Sequence, residues 1–142
     1  MAAIGKGIFN LLSNDSTLSS NVGTRIMPDV INATASAARV FPYITYDIIS
    51  VEPVADKSIA AGGSALVDVF RVQINIYSRK YSELETLAAA VLSTLNRYTG
   101  TANTIKIQSV DYITQADDYD KDAGNKGIYA RGMDFNFRIN NV

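Results

Sequence analysis

The sequence predicts an α+β domain: a mainly antiparallel four-stranded sheet with two helices packed on one face and a long loop between two of the strands. Three observations carry this expectation. Residues 68–77 alternate, with Phe70, Val72, Ile74 and Ile76 on one side and Asp68, Arg71, Gln73 and Asn75 mostly on the other, which is the period of a half-buried strand. Residues 128–139 repeat the pattern, setting Tyr129, Met133, Phe135, Phe137 and Ile139 against Gly132, Asp134, Asn136 and Arg138. Between these strands, Leu84, Leu87, Ala88, Val91, Leu92 and Leu95 recur at helical spacing, a stripe about a third of the way round a helix that needs a sheet to lie on.

Taken in order, the chain begins with Ile4, Ile8, Leu11 and Leu12 at helical spacing, stopped by Ser13-Asn14-Asp15-Ser16. This is a short amphipathic helix, weakened by Gly5 and Gly7 at roughly 1 kcal/mol each relative to alanine. Residues 18–22 can add a helical turn that Gly23 ends. Arg25-Ile26-Met27-Pro28 reads as a brief extended piece running out at a proline, and residues 29–39 as a loop. Residues 41–49 are aromatic and β-branched, hence a strand, with Pro42 at its beginning or on an edge. Residues 52–65, EPVADKSIAAGGSA, form a long mobile loop, well beyond the roughly two to five residues of an ordinary hairpin connection. The spacing of Ser82 and Glu85 predicts a capping box and a helix from about residue 83, with Gly100 supplying a left-handed residue past its end. Residues 104–114 alternate well enough for a further strand, less cleanly from Val110 onward.

At 142 residues and 47% hydrophobic, residues 1–142 form a single domain with one core. With 13 basic against 14 acidic side chains, there is no bulk attraction to nucleic acid or to an anionic membrane. The chain has neither cysteine nor histidine, which removes disulfides, thiolate zinc sites, thiol nucleophiles and the commonest general base near neutral pH. A hydrolytic triad is therefore out of reach, and the expectation is no enzyme and no cofactor. Residues 2–12, AAIGKGIFNLL, are too short and too interrupted by glycine for a signal peptide. No apolar run is long enough to span a bilayer, so the chain is expected to be soluble where it works, with no membrane partner.

One patch has ligand-like spacing. Asp118, Asp120 and Asp122 match the first three ligands of a calcium loop, but Ala123 stands where that loop requires glycine and Tyr129 where it requires glutamate. A solvated turn between two strands is the favoured reading of this acidic run, and a small calcium- or ligand-binding module is kept as the alternative from a different class. The eight tyrosines, with no tryptophan, suit either ordinary strand filling or an interface. Arg71, Gln73 and Asn75, on the outward side of the central strand, are interface candidates on the same footing. So are Asp56, Lys57 and Ile59 in the long loop.

The order of elements resembles the tail-completion or tail-terminator family of tailed bacteriophages. The likeness is carried by the N-terminal helix ending in Leu11-Leu12, by Arg25-Ile26 followed by Pro28, and by the strand Phe41-Pro42-Tyr43-Ile44-Thr45-Tyr46. It continues in Phe70-Arg71-Val72-Gln73-Ile74-Asn75-Ile76-Tyr77, in the helix over residues 81–95 and in the closing Arg131-Gly132-Met133-Asp134-Phe135-Asn136-Phe137. The resemblance implies a structural virion protein, assembled in the host cytoplasm into a ring, commonly hexameric. Such a ring caps the tail tube at the neck and joins the tail to the head connector. Its partners are further copies of itself, the tail tube protein and the head–tail connector proteins, while DNA passes through the lumen without specific binding. Another neck or tail joining protein, an adaptor or tube component, is the alternative within the same class. A ring needs head-to-tail contacts and hence two different surfaces on each subunit.

Overall fold

The computed structural model describes residues 4–28, 40–54, 67–121 and 126–140. The expected loop at residues 29–39, most of the expected loop at residues 52–65 with Asp56, Lys57 and Ile59, and also Asp122 lie outside the described residues.

Two short helices open the chain, α1 (Ile4–Ser13) and α2 (Ser16–Val22). Asp15 caps α2, its carboxylate accepting from the Leu18 N–H at 3.0 Å, and Gly23 ends it at a φ of 58° that only glycine adopts without cost. Then follow β1 (Ile26–Pro28), β2 (Tyr43–Pro53), β3 (Val67–Ser78), α3 (Tyr81–Leu95), β4 (Gly100–Ala102), β5 (Ile105–Lys121) and β6 (Gly127–Asn140).

The strands form one sheet in the order β1-β2-β3-β6-β5-β4. The α+β class holds, but the expected four-stranded antiparallel sheet with two helices is corrected, among the described residues, to a six-stranded mixed sheet with three helices. The four expected strands correspond to β2, β3, β5 and β6, which do pair antiparallel. The two added strands, β1 and β4, have three residues each and sit at the sheet's two edges. Three residues are too few to show alternation, so such strands are defined by their partners: Ile26 lies parallel to Ile44, and Ala102 opposite Ile105. The parallel β1–β2 pair is what makes the sheet mixed.

One face of the sheet carries the core. Phe70, Val72, Ile74 and Ile76 of β3, Met133, Phe135, Phe137 and Ile139 of β6, and Ile105, Ile107 and Val110 of β5 form one buried cluster with the apolar sides of α1, α2 and α3. The stripe on α3 is as its spacing predicts, with Leu84, Leu87, Ala88, Val91 and Leu95 buried and Leu92 half-buried.

The ends of α3 differ from expectation. The helix begins at Tyr81 with Lys80 at the cap position and no side-chain cap; ahead of it the Ser78 hydroxyl accepts from the Lys80 N–H at 3.1 Å and donates to Glu83 Oε1 at 2.7 Å. Ser82 and Glu85 make no capping box, because Glu85 is drawn to Arg131. At the other end Arg97, at a φ of 63°, takes the left-handed conformation expected of Gly100. Gly100 lies in β4 instead.

β5 also departs from expectation. It runs on to Lys121, so Asp117, Asp118 and Asp120 are strand residues rather than a turn. Their partners in the ladder are Arg131, Ala130 and Ile128.

Candidate functional site

The sheet face away from the core is polar, and two features on it and beside it organise charged side chains. The first lies on β3 and β6. Alternation along β3 turns Arg71, Gln73 and Asn75 to the outer face, and the antiparallel register sets them opposite Asn136, Asp134 and Gly132. Arg71 Nη2 donates to Asp134 Oδ2 at 2.8 Å and Gln73 Nε2 donates to Asp134 Oδ1 at 3.1 Å. Asp134, 9% exposed, thus has both carboxylate oxygens satisfied, while 44% of the Arg71 side chain stays accessible. Glycine at position 132 leaves room beside this trio: a Cβ there would come within 3.1 Å of Asn75 Oδ1. Next to them Ser50, Glu52, Val69, Arg71 and Asn136 line an open cleft of about 230 Å³. The sequence-predicted trio is therefore one contiguous patch, in which Asp134 holds Arg71 and Gln73 in place.

The second feature is the distal half of the β5–β6 hairpin. Every residue of β5 from 113 to 121 is exposed, against a buried and exposed alternation earlier in the strand, while β3 stays paired to the other side of β6 as far as Ser78 and Tyr129. Opposite this exposed half of β5 sits Arg131, 5% exposed. Its Nε and Nη2 donate to the two oxygens of Asp117 at 2.6 and 2.9 Å, and Nη2 also donates to Glu85 Oε1 at 2.5 Å on α3. Tyr81 Oη accepts from the same nitrogen at 3.4 Å. Hydrogen bonds from Arg131 hold the Glu85 and Asp117 carboxyls below the usual carboxylate range, and the two carboxylates hold the guanidinium still more firmly protonated. The hydrogen bond to Glu85 raises the Tyr81 phenol. Beyond Arg131, Tyr129 meets Tyr81 edge-on at 5.7 Å and Tyr119 at 4.9 Å. Tyr81 and Tyr119 remain about half exposed, at 49% and 51%.

Asp118 and Asp120, the first two carboxylates of the calcium-like spacing, are exposed on β5, each accepting from the N–H of the next residue, at 2.8 and 2.7 Å. Among the described residues no three histidine, cysteine or carboxylate side chains gather as metal ligands. No helix among them is long and apolar enough to cross a membrane.

Sequence reasoning missed the Arg131 cluster. The available signal was an arginine on the apolar side of an alternating strand, in phase with Met133, Phe135 and Phe137; a charge there demands buried partners.

A family model described as Tail completion protein gp17 matches residues 6–139. No curated protein matches the chain. Among solved structures, a chain of the "Virion of native gene transfer agent (GTA) particle" superposes with a TM-score of 0.70 at 16% sequence identity, covering 97% of this chain and 95% of that one. At that identity the likeness is one of fold.

Proposed function

The chain belongs to the tail completion protein gp17 family, and from that membership we propose that it forms a ring that caps the tail tube and joins it to the head connector. It is a structural protein of the virion tail. The observation that carries the finer reading is the extent of the family match, residues 6–139, which takes in every strand and helix from α1 to β6.

Two structural features support the ring. A closed ring needs two unlike surfaces on each subunit. The outer-face patch of Arg71, Gln73 and Asn75 and the exposed half of β5 over residues 113–121 are two such surfaces, different in chemistry. Arginine and tyrosine are the residue types that most often anchor interfaces. We read the protein as non-enzymatic, a reading supported by the absence of histidine and cysteine. A net charge of −1 suits a lumen through which DNA slides without adhering.

Electron microscopy of particles lacking this chain tests the proposal. A ring that terminates the tube predicts overlong tubes and heads without tails. Tubes of normal length that fail to join heads would point instead to an adaptor, and the absence of tubes to a tube component.

A further inference from the structure

β6 runs beside β5 as far as Lys121, whereas β4 covers the other side of β5 only over residues 105–107. The connection out of α3 covers a little more of that side: Val110 O accepts from the Arg97 N–H at 2.7 Å, and the Tyr112 N–H donates to Asn96 Oδ1 at 3.3 Å. Past Tyr112, among the described residues, no strand pairs with that side, and residues 113–121 are exposed throughout. An open strand edge of this kind offers N–H and C=O groups on which another chain can add a strand.

In an antiparallel ladder alternate residues turn these groups toward the partner strand and away from it. Val110 and Tyr112 turn theirs away from β6, toward Arg97 and Asn96. One extra residue is inserted between Tyr112 and Thr114, so beyond it the groups turned away belong to odd-numbered positions. Tyr119 and Lys121 are two of these. Their N–H groups donate to Asp118 Oδ1 at 2.8 Å and Asp120 Oδ1 at 2.7 Å, the side chains just before them. An aspartate bonded to a neighbouring N–H competes with ladder pairing, and its charge has to be desolvated before a strand can lie alongside. The opposite edge is protected differently: beyond β1, β2 is broken by a bulge between Ile48 and Ser50 and ends at Pro53, which has no N–H to offer.

We propose that Asp118 and Asp120 guard the open edge of β5, closing it to strand addition by a second copy of this chain. Two copies meeting there would run β5 against β5, antiparallel about a two-fold axis. That sets the acidic residues of one strand beside those of the other, so like-charge repulsion adds to the hydrogen bonds that must be given up. The inference rests on the ladder geometry and does not require the ring.

The test compares the parent with Asp118→Ala/Asp120→Ala at equal concentration, by light scattering and by double electron–electron resonance from a spin label at Ala116→Cys, an exposed position in a chain without cysteine. The double variant is expected to show at least twice the parent's mass and a new short distance between copies. Asp111→Ala with Glu52→Ala removes the same charge from exposed positions away from this open stretch and is expected to keep the parent's mass. Parental mass in Asp118→Ala/Asp120→Ala overturns the proposal, as does a rise in mass without the short distance, or equal association in the control pair. Should circular dichroism show the double variant unfolded, Asp118→Ala and Asp120→Ala decide singly: parental mass in both overturns it.

Discussion

Arg71 and Asp134 join β3 to β6 across the bare face of the sheet, Nη2 to Oδ2 at 2.8 Å. The arginine is nearly half in solvent and the aspartate largely out of it, at 44% and 13% side-chain exposure. Screening reduces what such a pair contributes. A double-mutant cycle with Arg71→Ala and Asp134→Ala is expected to give a coupling of about 0.5–1 kcal/mol by urea denaturation. A coupling near zero would mean that the two side chains hold their places independently.

The same patch carries an assembly prediction. Alanine at Arg71, Gln73 and Asn75 together leaves the core untouched, since all three side chains lie on the polar face. The variant is expected to keep its circular dichroism and cooperative unfolding while losing ring formation in light scattering. Rings of parental mass would return these residues to plain solvent-facing strand positions.

Phe137 is fully buried on β6 among Phe70, Val110 and the apolar side of α3. Phe137→Ala is expected to cost about 3–5 kcal/mol through lost burial and the cavity left behind. Against a total stability of roughly 5–15 kcal/mol, that brings the protein close to unfolding at ordinary temperature. A loss below about 1 kcal/mol would show that the core repacks there without penalty.

Arg97 holds a left-handed backbone at the end of α3, while its N–H donates to Val110 O at 2.7 Å. That conformation costs a side-chain-bearing residue roughly 1 kcal/mol. Arg97→Gly keeps the hydrogen bond and is expected to raise stability by about 0.5–1 kcal/mol in denaturant titration. An unchanged midpoint would mean that the position carries no strain.

The Arg131 cluster gives stability an acid dependence. Glu85 and Asp117 titrate below their ordinary values in the folded protein because Arg131 hydrogen-bonds their charged forms. A depressed carboxylate contributes stability that is complete above its unfolded pKa and is lost as pH falls through the folded one. Denaturation midpoints followed from about pH 5 down to about pH 2 should therefore fall, and fall less steeply in Arg131→Met. Identical acid limbs in the two proteins would remove Arg131 as the cause.

The parts of the fold that showed in the sequence are those where one side chain in two, or one stripe in a helix, meets the core: β3, β6, α1 and α3. What stayed hidden depends on partners distant in sequence. β4 is a strand only because Ile105 lies beside it, and the brief extended piece expected at residues 25–28 becomes β1 of the sheet only because Ile44 does. The acidic end of β5 lacks hydrophobic alternation and reads as a turn from its own residues. It is a strand because residues 127–131 of β6 pair with it and Arg131 neutralises Asp117. α3 starts at Tyr81, ahead of the Ser82 and Glu85 pair, where Ser78 at the end of β3 holds the turn into it through the Lys80 N–H and Glu83. Of the candidate site, Arg71, Gln73 and Asn75 were legible from alternation. Their link to Asp134 was not, since it joins residues about sixty positions apart.

The central claim is that this chain works as a closed ring on the end of a tail tube. Size-exclusion chromatography with light scattering on the purified protein, followed by electron microscopy after mixing it with tail tubes, tests it most directly. The account predicts a ring, expected to be hexameric, seated on a tube end. A strict monomer that never associates with tubes would contradict it.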